Sequence, residues 1–240
     1  MTDEQRATLQ AMVDESRRIV FFGGAGVSTE SGIPDFRSTD GLYHQQYDEP
    51  PETILSHSYF ENKTEKFYRF YREKMICTTA EPNAAHRKLA EWERQGKLTA
   101  VITQNIDGLH QKAGSKNVLE LHGSVMRNHC RDCRRAYGLE AILSSTGVPR
   151  CTCGGVIKPD VVLYEEPLDG RTFSAASRYL READMLIIGG TSLVVYPAAG
   201  LVSDFNGKYL VVINKTENGR SGEANLVLTD PIGEVFAALE

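Results

Sequence analysis

No stretch of this 240-residue chain is apolar for long enough to cross a bilayer, so membrane-spanning helices are not expected. Excess basic charge is missing too. Lys and Arg number 27 against 32 Asp and Glu, a formal net charge of −5. Direct nucleic-acid binding, which favours a basic face, is therefore not expected, and the balance suits a cationic peptide better. Residues 1–18 are polar and amphipathic with no apolar leader core, so no secretory signal is read and a cytoplasmic protein is expected. There is no internal repeat and no low-complexity tract. What remains is ordinary globular composition, 41% hydrophobic and 25% charged, suited to one large domain or a domain with a small module.

The chain is organised around Ile19-Val20-Phe21-Phe22 and the glycines that follow. Four apolar, β-prone residues stopped by glycine read as a buried strand. Gly24 and Gly26 allow a tight turn and close approach to a bulky ligand. Ser28, Thr29 and Ser31 are good N-caps, so a helix N-terminus is expected next. Strand, glycine loop and helix start together hold a diphosphate. One part of the dinucleotide fingerprint is missing: Thr29 stands where a third glycine belongs.

Further along, helices are expected over about 4–17, 51–75, 84–95, 173–183 and 231–239. Residues 41–52 read as a loop. The 51–75 region is dense in aromatics, which fill a small core or line a pocket. Strands are expected at Leu98–Thr103, Val118–Leu121, Val161–Tyr164, Met185–Ile188 and Tyr209–Ile213. Such alternation implies an α/β fold with a parallel sheet covered on both faces. Polar or glycine-rich residues follow Phe22, Thr103, Leu121, Ile188 and Ile213. In open α/β sheets, ligands bind beyond these carboxyl ends, so the five loops are expected to meet at one crevice.

Five cysteines are present, and four of them pair closely: Cys130-x2-Cys133 and Cys151-x-Cys153. Two pairs across a polar loop suit one tetrahedral Zn²⁺. Four thiolates leave no open coordination position, so the metal is expected to be structural. Cys77 stands apart and is expected to be a buried small hydrophobe.

Together, the stretches GAGVSTESGIPDFRS (24–38), TQNIDGLHQKAG (103–114), ELHGS (120–124), the four cysteines, KPDVVLYEE (158–166) and GTSLVVYPAA (190–199) resemble the sirtuin family of NAD-dependent protein deacylases. They occur in family order and cover nearly the whole chain. The resemblance implies a Rossmann-like parallel sheet with helices on both faces, formed by 1–35, 81–124 and 158–240. It implies a helical insertion at 36–80 and a zinc-binding module at 125–157. The implied partners are NAD+, as cosubstrate, and an acetylated-lysine protein or peptide. In the implied reaction the acyl oxygen attacks the nicotinamide ribose, nicotinamide leaves, and a base then activates a ribose hydroxyl. The products are nicotinamide, O-acetyl-ADP-ribose and free lysine.

Residue by residue, the resemblance makes His122 the general base, with Asn105 and Asp107 orienting the ribose and the carboxamide. It gives cofactor contacts to Gly24, Ala25, Gly26, Ile33, Asp35, Phe36, Arg37, Gln104, Ile106, Gly190, Thr191, Ser192 and Asn214. Phe36 would shield the reacting ribose carbon and Arg37 would meet phosphate. Val161, Val162, Leu163 and Tyr164 would pair with the substrate main chain. Relatives that remove succinyl or malonyl groups carry Tyr-x-x-Arg in the aromatic helix. Tyr68 and Tyr71 stand there in this chain, so acetyl is the expected acyl group. The rival readings are a zinc-ribbon binding protein with a non-catalytic nucleotide domain, an NAD(P)-dependent dehydrogenase, and a mono-ADP-ribosyltransferase.

Overall fold

The computed structural model describes residues 1–36, 41, 49–216 and 218–240. Six parallel strands form the main sheet: β1 (Ile19–Gly23), β2 (Leu98–Thr103), β3 (Val118–Glu120), β7 (Met185–Gly189), β8 (Tyr209–Ile213) and β9 (Leu226–Leu228). Their order is β3-β2-β1-β7-β8-β9. A second, antiparallel sheet lies between β3 and β7 in the chain, with order β5-β4-β6. It comprises β4 (Gly123–Cys130), β5 (Ala136–Tyr137) and β6 (Ile157–Val161). With those three strands set aside, the main sheet runs 3-2-1-4-5-6, the doubly wound dinucleotide-binding order. Its switch point falls between β1 and β7, where Gly23 pairs with Gly189.

Strand alternation explains how both faces are covered. Ile19, Phe21, Met185, Ile187, Val211 and Ile213 point into one core, against α1 (Asp3–Glu15), α5 (Ala84–Arg94) and α9 (Ile232–Ala237). Val20, Phe22, Leu186, Ile188, Leu210 and Val212 point into the other, against α8 (Gly170–Glu182) and the turn at 198–204. A strand buried on both faces must be apolar at every position, which is why these segments read as unbroken apolar runs. Truncating a side chain such as Phe21 to alanine is worth about 3–5 kcal/mol. Caps set where the helices begin. Thr2 and Gln5 close a capping box on α1, Asn83 accepts the first amides of α5, and Asp169 accepts the Thr172 amide of α8.

The aromatic region resolves as core. Four short helical stretches build it: α2 (Pro51–Ile54), α3 (His57–Asn62), α4 (Thr64–Phe70) and a wider turn at Tyr71–Met75. Phe67 lies 5.0 Å from Phe60 and 5.3 Å from Tyr68, both edge-on, and stacks on Tyr71 at 5.5 Å. These rings share a third core with Ile157, Val161, Leu163, Cys130 and Cys151 of the antiparallel sheet and its loops. Arg72 fastens the other side, donating to the Ile142 and Gly147 carbonyls and to Ser145 beside α7 (Glu140–Leu143).

Three expectations are corrected. The glycine loop is followed by two single tight turns, Ala25–Val27 and Thr29–Ser31, and not by an α-helix. Gly32, at φ +84°, ends the second. The strand expected at Val161–Tyr164 is Ile157–Val161, and Tyr164 makes only an isolated bridge with Ser56. Cys77 is exposed beside the cleft described below; the chain leaves the aromatic helices there and buries nothing on it.

Candidate active site

Five strand ends open onto one cleft of about 1480 Å³. Gly24 follows β1, Gln104 follows β2, His122 follows β3, Gly190 follows β7 and Asn214 follows β8, and all five line it. A typical single-ligand pocket holds roughly 300–1,000 Å³, so this cleft has room for two ligands. Gly24, Ala25, Gly26, Ile33, Asp35, Phe36, Gln104, Asn105, Ile106, Asp107, His122, Val161, Val162, Leu163, Tyr164, Gly190, Thr191, Ser192 and Asn214 all line it. Arg37 lies outside the described residues.

At the switch point two glycine loops meet backbone to backbone. The Gly24 amide donates to the Gly189 carbonyl (3.1 Å) and the Gly26 amide to the Gly190 carbonyl (2.9 Å). A Cβ on Gly26 would lie 2.8 Å from the Gly190 Cα, and one on Gly190, at φ +58°, would lie 2.4 Å from the Val27 nitrogen. Only glycine permits this approach. Thr191 is tied in by the Gln104 side-chain amide (3.1 Å to Oγ1) and by Asn218, which donates to its carbonyl (3.2 Å). The cradle fits a dinucleotide diphosphate, its floor formed by glycine backbone with no side chain at Gly24, Gly26 or Gly190.

After β2 the polar residues form a chain of hydrogen bonds. The Asn105 side chain donates to Ser28 Oγ (3.1 Å), and Ser28 donates to Asp107 Oδ2 (2.7 Å). The other Asp107 oxygen accepts the Leu109 amide (2.9 Å), which starts α6 (Leu109–Ala113). Burial pushes the Asp107 carboxyl above its usual range, against these two donors. Ser28 was not among the expected site residues. Its place between the glycine loop and Ile33 marked it only as a cap, and its bridging role appears only when β1 and β2 lie side by side.

His122 is half-buried against the end of β2. Its Nδ1 lies 3.0 Å from the Gln104 carbonyl. A carbonyl only accepts, so Nδ1 carries the proton and Nε2 keeps a free lone pair. Burial pulls this imidazole below its ordinary pKa, and the bond to Gln104 opposes the shift. The ring is therefore a neutral imidazole near neutral pH, with Nε2 able to accept a proton.

The four clustered cysteines come together away from the cleft floor. Their sulfurs all lie within 4.8 Å of one another, with Cys130–Cys153 at 3.5 Å and Cys133–Cys151 at 3.6 Å. A tetrahedron of Zn–S bonds near 2.3 Å has edges of roughly 3.8 Å, whereas a disulfide needs about 2.05 Å. The cluster therefore fits one Zn²⁺ and not two disulfides. Gly155 makes the approach possible, since a Cβ there would lie 2.7 Å from Cys130 Sγ. The Cys153 amide and the Tyr137 hydroxyl hold the Cys151 thiol down to about 6. The Gly155 amide favours the Cys153 thiolate, but its neighbouring cysteines outweigh that and push it up to about 12. Four thiolates this close need a cation among them.

Comparison with known proteins agrees with this geometry. The sequence pattern of the Sir2 family matches residues 24–197. A Clostridium acetobutylicum protein named NAD-dependent protein deacetylase is 58% identical over 232 residues, covering 95% of each chain. A Staphylococcus aureus protein of the same name is 43% identical, covering 97% of this chain and 96% of its own. A solved Sir2–p53 peptide–NAD+ structure superposes with TM-score 0.83 at 39% identity, covering 96% of this chain and 95% of its own. A Sir2 variant with deacetylated p53 peptide and 3′-O-acetyl ADP ribose gives 0.89 at 38%, covering 97% and 96%.

Proposed function

This chain belongs to the Sir2 family, and from that premise we propose how its cleft carries out lysine deacetylation. The protein is an NAD-dependent protein deacetylase that uses NAD+ and an acetylated-lysine protein or peptide and binds one structural Zn²⁺. Bound NAD+ supplies an electrophilic ribose carbon and a nicotinamide leaving group.

In our reading His122 is the general base, and its free Nε2 takes the proton from a ribose hydroxyl. The observation that carries this role is the Nδ1–Gln104 bond, which sets the tautomer and the ring orientation. Asn105 and Asp107 orient the ribose and carboxamide, and Ser28 locks the two together. The glycine loops at 24–26 and 190–192 hold the diphosphate. Ile33, Asp35, Phe36 and Ile106 wall the reacting end; Phe36 and Ile106 also pack on the third core, which supports a water-excluding role. Arg37 completes the set as a phosphate contact. Gln104 and Asn214 reach the riboses.

Val161–Tyr164 receives the substrate. The Val162 carbonyl has no partner among the described residues and stands opposite His122, a place for the acyl-lysine amide to donate. The Zn²⁺ does no chemistry, because its four thiolates close the coordination sphere. We divide the chain into a Rossmann-like unit (1–35, 81–124, 158–240), a helical insertion (36–80) and a zinc module (125–157); the antiparallel sheet straddles the last two boundaries, since β4 begins at Gly123 and β6 runs to Val161. No helix among the described residues is long and apolar enough to cross a membrane. We place the enzyme in the cytoplasm, where four ligand thiolates stay reduced.

Product analysis tests the reading. Incubation with NAD+ and an acetyl-lysine peptide should yield nicotinamide, deacetylated peptide and O-acetyl-ADP-ribose by mass spectrometry. Reduction of NAD+, or free acetate in place of the acetylated nucleotide, would contradict it.

A further inference from the structure

The substrate segment is less open than an edge strand. The Val162 amide donates to the His122 carbonyl (3.0 Å) and the Tyr164 amide to the Leu55 carbonyl (3.0 Å). The Leu163 amide donates to Glu166 Oε2 (2.9 Å). On the acceptor side, the Leu163 carbonyl takes the Glu166 amide (3.0 Å) and the Tyr164 carbonyl the His57 amide (2.9 Å). The Val161 carbonyl takes the Lys158 ammonium (3.2 Å). Most of the segment's main chain is thus occupied internally, and the Val162 carbonyl is left for a ligand.

Glu166 is the centre of this arrangement. Its Oε2 accepts from the Leu163 amide and from Lys158 Nζ (3.1 Å), and its Oε1 meets His57 Nδ1 (2.9 Å). His57 Nε2 faces Glu61 at 3.7 Å, and Glu61 is held by Arg131 at 2.8 Å. The carboxylate therefore joins β6, the substrate segment and α3. Burial works to raise its pKa, but hydrogen bonds from the Leu163 amide, His57 and Lys158, with the Lys158 charge, hold it below the usual carboxylate range. The adjoining turn is strained: Glu165 sits at φ +75°, held by the Ser58 amide (2.8 Å) and hydroxyl (2.6 Å). A strained turn keeps its shape only while its anchors hold.

We propose that Glu166 is a positioning residue for the peptide: by clamping the Leu163 amide and Lys158 it holds the Val162 carbonyl where the acyl-lysine amide donates. The inference rests on the deacetylase reading and on Val161–Tyr164 as the peptide-binding segment. Glu166 touches neither NAD+ nor the reacting atoms in this scheme, so its loss acts on peptide capture alone.

The test compares steady-state constants for both substrates. Glu166→Ala should raise the peptide KM roughly tenfold or more, as loss of a charge-assisted bond does, with the KM for NAD+ and kcat within about twofold. Glu166→Gln keeps an oxygen for the Leu163 amide and should recover most of the loss. A purely structural role would shift both KM values and gain nothing from glutamine. Should Glu166→Ala not fold, Lys158→Met replaces it, with the same split expected. A wild-type enzyme that releases no nicotinamide overturns the deacetylase reading. An active wild type whose variants leave the peptide KM unchanged, or raise both KM values together, overturns the positioning role.

Discussion

His86 of α5 and His110 of α6 lie ring to ring, 4.7 Å between centroids and almost wholly shielded from solvent. His86 Nδ1 accepts the Asn83 amide (3.3 Å), while His86 Nε2 and both His110 nitrogens have no partner among the described residues. Burial pulls His86 from 6.5 down to about 4, and Arg87 adds to the effect. A folded-state pKa below the unfolded value means that the native state resists protonation. The stability this confers is complete above pH 6.5 and is lost as pH falls toward 4. Linkage over that window gives a loss of about 2 kcal/mol by pH 5 from His86 alone. His110, pulled well below its usual value by burial, and His122 act in the same direction. The assay is urea unfolding followed by the single tryptophan, Trp92, which is buried 5.4 Å from Phe236. Between pH 7 and 5, His86→Gln should lose about 2 kcal/mol less stability than wild type. The metal site titrates in both proteins, so the difference reports on His86 and its contact with His110. Parallel pH profiles would refute the reasoning.

Three further outcomes are expected. Cys151→Ser should release the zinc and unfold the small sheet with a broad loss of thermal stability, since structural zinc binding is worth about 10–16 kcal/mol; metal analysis and calorimetry check this. Gly26→Ala forces a methyl against the Gly190 backbone and should raise the KM for NAD+ roughly tenfold or more with the peptide KM little changed, measured by nicotinamide release. On one matched peptide, acetyl should be removed at least about tenfold faster than succinyl, because a bidentate cation is missing. Tyr68 and Tyr71 are buried in the aromatic core and Arg72 is engaged with Ile142, Ser145 and Gly147. Faster desuccinylation would overturn this.

The sheet was legible because its strands are buried on both faces, so Ile19–Phe22, Met185–Ile188 and Tyr209–Ile213 carry no polar interruption. The convergence of five strand ends followed from the same pattern. Leu226–Leu228 was not legible, being only three residues at a sheet edge. Nor was β4, whose exposed Met126 and Arg127 and buried Asn128 give neither clean alternation nor an apolar run. Val161–Tyr164 has strand propensity, but the Glu166 side chain and the backbone groups of Leu55, His57 and His122 take its main-chain groups. The cysteines were readable because ligand spacing is local. Ser28 was not, because its partners Asn105 and Asp107 lie 77 and 79 residues away.

The central claim is that His122, with its proton fixed on Nδ1, is the base for acyl transfer. Turnover of an acetyl-lysine peptide by His122→Ala tests it most directly, with an unchanged melting temperature as the control for folding. The account predicts a fall in kcat of roughly 10²–10⁴-fold, the usual worth of a general base. Deacetylation within about tenfold of wild type would contradict it.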